Sequence, residues 1–205
     1  MGAAILTRVD YLDLYLIHWP VSLPADATNT VSDEVLPDWD YVKTWAKMQT
    51  LVERGVVRSI GVSNFTPQHL ERLLSATSTI IIPAVNQVEL HPMNPQPELY
   101  NYCTQRSIHL TAYSPLGSQD SPLYKIPQVL DVASHVNKTP AQVLLAWGIR
   151  KGWSVIPKSV SEARIVENLG CDFGLSDAEF AQIDGIKERR RLIDGQDFLP
   201  MQIFE

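Results

Sequence analysis

Short β-prone runs alternate with helical patterns from Tyr11 to Lys187, and this alternation restricts the chain to folds assembled from parallel strand–helix units. Tyr11 to His18 (YLDLYLIH) is apolar except for Asp13 and is closed by Pro20, so it reads as a largely buried strand. A loop rich in Pro, Asp, Thr and Asn follows. From Tyr41 to Arg54 the apolar positions Val42, Trp45, Met48, Leu51 and Val52 recur at helical spacing, and Gly55 supplies a stop. Ser59 to Ser63 is a second strand. Thr66-Pro67 then opens a helix with a polar cap and Pro at its first position, burying Leu70, Leu73 and Leu74.

The pattern continues with a strand near Ala84 to Leu90, a helix near Gln96 to Gln105 and a strand at His109 to Ser114. After a loop bearing Gly, Ser and Pro come helices near Gln128 to Val136 and Thr139 to Arg150, the latter opened by the Thr139–Gln142 capping-box spacing and ended by Gly152. Ser154 to Pro157 is a fifth strand. Helices over 162–169 and 176–187 complete the chain, the last with a Ser176–Glu179 box. Two α/β architectures compete. No G-x-G-x-x-G follows the first strand, which disfavours a doubly wound sheet and raises a closed barrel. A (β/α)8 TIM barrel needs eight units and typically about 250 residues. Five are legible in these 205 residues, so the expectation is one domain over 1–205 that forms an incomplete barrel.

Composition removes other classes. Apolar residues make up 45% and charged residues 20%, which fits neither a disordered chain nor a coiled coil. A net charge of -6 argues against a broad nucleic-acid or anionic-membrane surface, so any bound anion must meet a local cationic pocket. Cys103 and Cys171 form no C-x-x-C pair, and a reducing compartment follows by default. No apolar run approaches a membrane span, Met1 to Leu6 is too short for a signal-peptide core, and Leu6 stands where a myristoylation signal needs Ser or Thr. The expected location is the cytoplasm. His18, Glu89, His91 and His109 show no H-x-H or H-E-x-x-H cluster, which disfavours a metal-dependent hydrolase.

Parallel α/β folds gather functional groups at the carboxyl ends of their strands. That rule selects His18, Ser63 with Asn64, Gln87 with Glu89 and His91, Tyr113 with Ser114, and Lys158 with Ser159. Each has an ordinary structural reading: a satisfied histidine, a turn or cap, a core aromatic, a solvated helix start. Together they point elsewhere. The carboxamides of Asn64 and Gln87 can pair with a ligand's amide, while the face of Tyr113 offers a stacking platform that suits a nicotinamide. Lys158, Ser159 and Arg164 set two cations and a hydroxyl beside a helix N-terminus, which suits phosphate. Glu167 and Asn168, a turn further on, either meet an adenine amino group or cap and solvate the helix.

The segments DYLDLYLIHWPV, IGVSNF, NQVELHP, AYSPLGS and IPKSVSEARIVENL, in that order along nearly the whole chain, closely resemble the aldo-keto reductase family, nearest its fungal-type xylose, glycerol and aldehyde reductases. The resemblance implies an (α/β)8 barrel of that type that binds extended NADP(H) without a Rossmann domain and reduces aldehydes or ketones. Carried over by residue, His18 is the histidine that orients the substrate carbonyl, and Trp19 is a wall of its pocket. Ser63, Asn64 and Gln87 hold the carboxamide, with Tyr113 stacked on the ring. Ser114, Leu116, Gly117 and Ser118 strap the pyrophosphate. Lys158, Ser159 and Arg164 take the adenosine 2′-phosphate, with Glu167 and Asn168 near adenine. NADP is expected over NAD, because the guanidinium fork of Arg164 matches phosphate geometry.

The family's proton-donating Tyr, with the Lys and Asp that tune it, lies on segments preceding His18 that have no counterpart here. The chain is therefore expected to carry one of four catalytic residues, and to lack the first three strand–helix units. Two functions follow: an NADP-dependent carbonyl reductase acting on a small molecule, or a catalytically inactive nucleotide-binding fragment or shortened gene product. Open barrel edges are expected to promote self-association. The particular carbonyl substrate is not legible, because the loop from about Arg189 to Glu205 varies within the family.

Overall fold

In the computed structural model, residues 9–22, 39–118, 120–195, 199 and 202–204 are described. The readings of Met1 to Leu6 and of most of the polar loop after Pro20 lie outside these residues. Among the described residues, five strands lie in one sheet: β1 (Leu12–Ile17), β2 (Val57–Ser63), β3 (Val85–Glu89), β4 (His109–Tyr113) and β5 (Ser154–Val155). Their order in space is their order in the chain, without the reversal that a doubly wound sheet requires. β1 runs parallel to β2, from Leu12 opposite Val57 to Ile17 opposite Val62. β4 runs parallel to β5, with Thr111 opposite Ser154 and Ala112 opposite Val155. The helices are α1 (Tyr41–Glu53), α2 (Pro67–Leu74), α3 (Pro97–Gln105), α4 (Pro127–His135), α5 (Pro140–Arg150), α6 (Glu162–Leu169) and α7 (Asp177–Asp184), with a 3₁₀ turn at Pro122–Lys125.

Capping chemistry explains most helix starts. Asp40 accepts from the Val42 N–H at α1, and Thr66, Thr139 and Ser176 each form a reciprocal capping box with the residue three positions on. Pro occupies the first turn of α2, α4 and α5, where its missing N–H costs nothing. Gly55, with φ of +69°, ends α1 as expected. The last helix is shorter than the 176–187 expectation. It ends at Asp184 because Gly185 caps it, and the Ile186 N–H turns back to the Ile183 carbonyl. β5 is shorter than expected too. The Ile156 N–H makes the last bond to the Ala112 carbonyl, and Pro157 has no N–H with which to continue.

The chain divides into two compact units, one within Met1–Asn86, Asn101–His109 and Asp194–Glu205, the other within Gln87–Tyr100 and Leu110–Ile193. The first unit buries Trp45, Ile60, Val62, Phe65, Leu70 and Leu73, and the ring of Tyr41 meets Phe65 edge-on at 5.1 Å. The buried polar groups of Trp45 and Gln49 on α1 are partnered. Gln49 Oε1 accepts from the Ile80 and Ile81 N–H groups at 2.7 Å, Gln49 Nε2 donates to the Ser78 carbonyl at 2.8 Å, and Trp45 Nε1 donates to the Ile81 carbonyl at 3.0 Å. The loop after α2 is thereby fastened to α1. The second unit buries Leu123, Val129, Val143, Leu145, Trp147 and Ile183, with Trp147 and Trp153 in an edge contact at 5.2 Å.

One expectation for the first strand is corrected. β1 is not largely buried: Leu14 and Tyr15 are 39% and 38% exposed, and only Ile17 is fully covered. β1 ends the strand order, pairing on one side with β2 and flanked by no other strand among the described residues. A continuous apolar run implies burial only when both faces find covers. Here Arg58 does part of that work, with its guanidinium 3.9 Å from the Tyr11 ring centre and 2.7 Å from the Asp13 carboxylate.

Candidate functional site

In the second unit, the loop after β4, the loop after β5 and α6 line a cleft of about 790 Å³. Ser114, Leu116, Gly117 and Ser118 contribute from the first loop, Lys158 and Ser159 from the second, and Arg164, Glu167 and Asn168 from α6. All the residues expected at the pyrophosphate, the 2′-phosphate and adenine thus line one cavity. The first loop is specified tightly. Ser114 has φ of +45° and Gly117 of +75°, and the Gly117 N–H closes a turn on the Ser114 carbonyl at 2.8 Å. A Cβ on Gly117 would stand 2.2 Å from Ser121 Oγ, so both backbone angle and space demand glycine.

The loop after β5 and the start of α6 favour an anion. Lys158 and Arg164 are exposed, and the Ser161 side chain does not cap α6; instead Ser159 Oγ accepts from the Ser161 N–H at 3.2 Å. A helix start without a side-chain cap, beside two cations, supplies N–H groups and positive potential together. Glu167 has a second commitment. Its carboxylate accepts from Thr139 Oγ1 at 2.6 Å, and its carbonyl accepts from Gln142 Nε2 at 3.0 Å, tying α6 to the capping box of α5.

Among the cleft's polar side chains, sequence reasoning missed two, Asp120 and Tyr124. Tyr124 sits on the 3₁₀ turn, and burial then the charge of Glu167 raise its phenol pKa while Arg164 opposes them. The signal was the Ser121-Pro122 pair, a cap followed by Pro, hidden in a segment read only as loop.

Gln87 is half-buried on β3, and Tyr113 is half-buried at the end of β4, one residue before the cleft's first lining residue. Burial pushes the Tyr113 phenol above its ordinary range, with the charge of Glu89 adding and Arg191 opposing. Glu89 and His91 form a fully buried pair, with Glu89 Oε1 2.8 Å from His91 Nε2. Among the described residues no group of three or more His, Cys, Asp or Glu side chains is arranged to hold a metal ion.

The first unit carries the remaining residues. His18 follows β1 and is exposed, with its ring centre 6.0 Å from that of Trp19. Both line an open groove of about 440 Å³ with Tyr15, Trp39, Met48 and Leu199. Trp19 and Trp39 pack against an apolar cluster of Val21, Leu199, Ile203 and Phe204, which the sequence pattern did not reveal. Ser63 and Asn64 are buried at the end of β2. Asn64 takes the left-handed conformation, with φ of +63°, which asparagine tolerates better than most residues. Its Nδ2 donates to the His18 carbonyl at 2.9 Å and to Ser63 Oγ at 3.3 Å, so this carboxamide ties the ends of β1 and β2 together.

The aldo/keto reductase family profile matches residues 6–188, most of the chain. The chain belongs to this family. It is 37% identical over 213 aligned residues to the glycerol 2-dehydrogenase (NADP(+)) of Saccharomyces cerevisiae, covering 96% of this chain and 67% of the relative. An aldehyde reductase of the same yeast is 36% identical, covering 91% of this chain and 64% of the relative. The solved aldose reductase of Giardia lamblia superposes with a TM-score of 0.89 at 34% identity, over 98% of this chain and 71% of that one. The chain thus spans about two thirds of the length of these curated relatives. As an aldo/keto reductase, its five-stranded parallel sheet with helices is an incomplete (β/α)8 barrel.

Proposed function

We propose that this aldo/keto reductase chain binds NADP(H) and belongs to an enzyme that reduces small aldehydes or ketones to alcohols. The observation that carries this reading is the cleft that assembles Gly117 and its loop with Lys158, Ser159 and Arg164. The donor set fits the dinucleotide's phosphates. Two cations and an uncapped helix start meet anionic oxygens, and the glycine turn lets backbone approach where a side chain would collide. The NADP-dependent relative supports the same choice of cofactor.

When bound, NADPH supplies a hydride, and every other contribution comes from the chain. Lys158, Ser159 and Arg164 hold the 2′-phosphate, Glu167 and Asn168 face adenine, and Ser114, Leu116, Gly117 and Ser118 strap the pyrophosphate. The resemblance assigns Ser63, Asn64 and Gln87 to the carboxamide. Tyr113, kept as a neutral phenol by burial, presents its ring to the nicotinamide. His18 orients the carbonyl, with Trp19 as a wall of the substrate pocket. The resemblance places the proton donor on segments that precede His18, and such a donor is typically worth about 10² to 10⁴-fold in rate. A polypeptide of these 205 residues therefore binds cofactor better than it turns over. Nucleotide binding without turnover is the second reading, favoured because the phosphate-side cleft lies wholly within one unit that includes neither His18 nor Trp19.

No helix among the described residues is long and apolar enough to cross a membrane. The cytoplasmic location is proposed from cysteine usage, Cys103 and Cys171 both being free thiols that suit a reducing compartment. Fluorescence titration with NADPH and NADH tests the cofactor reading. Arg164→Ala weakens NADPH about tenfold or more, the loss expected of one charge-assisted contact, and barely alters NADH. Equal losses for the two cofactors would refute a 2′-phosphate role for Arg164.

A further inference from the structure

We propose that Glu89 is a positioning residue whose carboxylate clasps the backbone after α7 and, through Leu192, sets the loop that walls the cleft. The clasp itself is independent of the cofactor reading; its consequence for cofactor affinity rests on that reading.

Glu89 ends β3 with its side chain fully buried. Its Oε1 accepts from the Leu192 N–H and its Oε2 from the Ile193 N–H, both at 2.7 Å. Two successive backbone donors on the two oxygens of one carboxylate make a charge-assisted fork that a neutral amide cannot copy, because half of the amide is itself a donor. His91 completes the acceptor's shell at 2.8 Å. With the carboxylate accepting, Nε2 is the donating nitrogen. The His91 Nδ1 is buried without a hydrogen-bond partner among the described residues, so Glu89 is the ring's hydrogen-bonded partner there.

The main chain of Glu89 is fixed as well. Its carbonyl accepts from Asn94 Nδ2 at 3.0 Å and from Gln96 Nε2 at 2.8 Å. The segment it grips is docked again upstream, where the Arg190 N–H donates to the Met93 carbonyl at 2.9 Å and Arg191 donates to Gln96 Oε1 at 3.2 Å. The grip ends at Leu192, whose Cδ1 would stand 3.1 Å from a Cβ on Gly117. Leu192 therefore packs directly over the Gly117 backbone, and Gly117 lines the cleft through the turn it closes on Ser114. The sequence Glu89, Leu192, Gly117 transmits the position of a buried carboxylate to the phosphate side of the cleft.

Native-state amide exchange by NMR on the cofactor-free 205-residue chain tests this with Glu89→Gln and Leu192→Ala. Glu89→Gln is expected to speed exchange at Leu192, Ile193 and Gly117 by tenfold or more, with far-UV circular dichroism unchanged. Leu192→Ala is expected to loosen Gly117 while residues 192 and 193 stay protected, and it decides the matter should Glu89→Gln fail to fold. Gly117 exchange within twofold of wild type in the variants that fold would overturn the proposal. In a cofactor titration both variants weaken NADPH and NADH by one common factor, about fivefold or more, whereas Arg164→Ala changes their ratio. A wild-type chain that binds neither cofactor would overturn the cofactor reading and leave exchange at Gly117 to decide the clasp.

Discussion

Protonation of His69 should unfasten the start of α2. The Thr66 N–H donates to His69 Nδ1 at 3.2 Å, while Thr66 Oγ1 accepts from the His69 N–H at 3.3 Å. Only a neutral ring can accept at Nδ1, so the box exists only in the unprotonated state. Burial first, and then the charge of Arg72, lower the His69 pKa from its ordinary 6.5. The unfolded chain therefore binds the proton more readily than the folded one. The stabilising contribution is complete above about pH 6.5 and is lost as pH falls from there through the folded-state value. One lost capping bond costs about 1 kcal/mol, or about 2 to 4 °C in melting temperature for a chain of this size. His69→Gln keeps an acceptor at the same position without titrating, so it isolates the effect. Melting both proteins by far-UV circular dichroism from pH 7.5 to 5 should show the wild type losing those degrees relative to the variant. Parallel pH profiles for the two would refute the reasoning.

Gly117→Ala should destabilise the chain by about 2 kcal/mol and weaken any dinucleotide at least tenfold, since its methyl meets Ser121 Oγ at 2.2 Å and its backbone is left-handed; a unchanged melt with wild-type affinity would contradict that geometry. Purified 205-residue chain assayed with NADPH and 4-nitrobenzaldehyde should turn over weakly or not at all, and a rate normal for reductases of this family would show that the proton donor is supplied from within these residues. The chain should also self-associate, because Val160, Val166 and Leu169 around α6 are 80%, 63% and 79% exposed and β1 exposes Leu14 and Tyr15. Size-exclusion chromatography with ANS fluorescence checks this, and a monodisperse monomer with little ANS binding and a sharp melt would refute it.

Local chemistry was legible in the sequence, and long-range chemistry was not. Thr139 and Ser176 announce their helices because a capping box is complete within four residues, and Thr66 announces its own as a polar cap before Pro67. Parallel strand–helix units followed from alternation, but their order in the sheet did not, because a doubly wound sheet alternates as well. The exposure of β1 was hidden, since burial belongs to the neighbours of a strand and not to its own pattern. Ser114, Lys158 and Ser159 were named from strand ends, Arg164, Glu167 and Asn168 from the helix that follows, and Leu116, Gly117 and Ser118 from the family resemblance, but their common lining depends on where the loops after β4 and β5 meet α6. Glu89 was noticed only as a strand-end carboxylate. Its partners at Leu192 and Ile193 lie over a hundred positions away, and backbone N–H groups carry no signature in sequence. Thr139 likewise reads as a cap, and its second bond to Glu167 emerges only when α5 and α6 come together.

Cofactor choice turns on the phosphate side of the cleft, and 2′,5′-ADP addresses that side without involving the nicotinamide half. Isothermal titration of the chain with 2′,5′-ADP and 5′-AMP compares ligands that differ by the 2′-phosphate alone. Saturable binding of 2′,5′-ADP at least tenfold tighter than 5′-AMP, lost on Arg164→Ala, is the predicted result. Equal affinities, or no saturable binding of either ligand at millimolar concentration, would contradict the assignment of Lys158, Ser159 and Arg164.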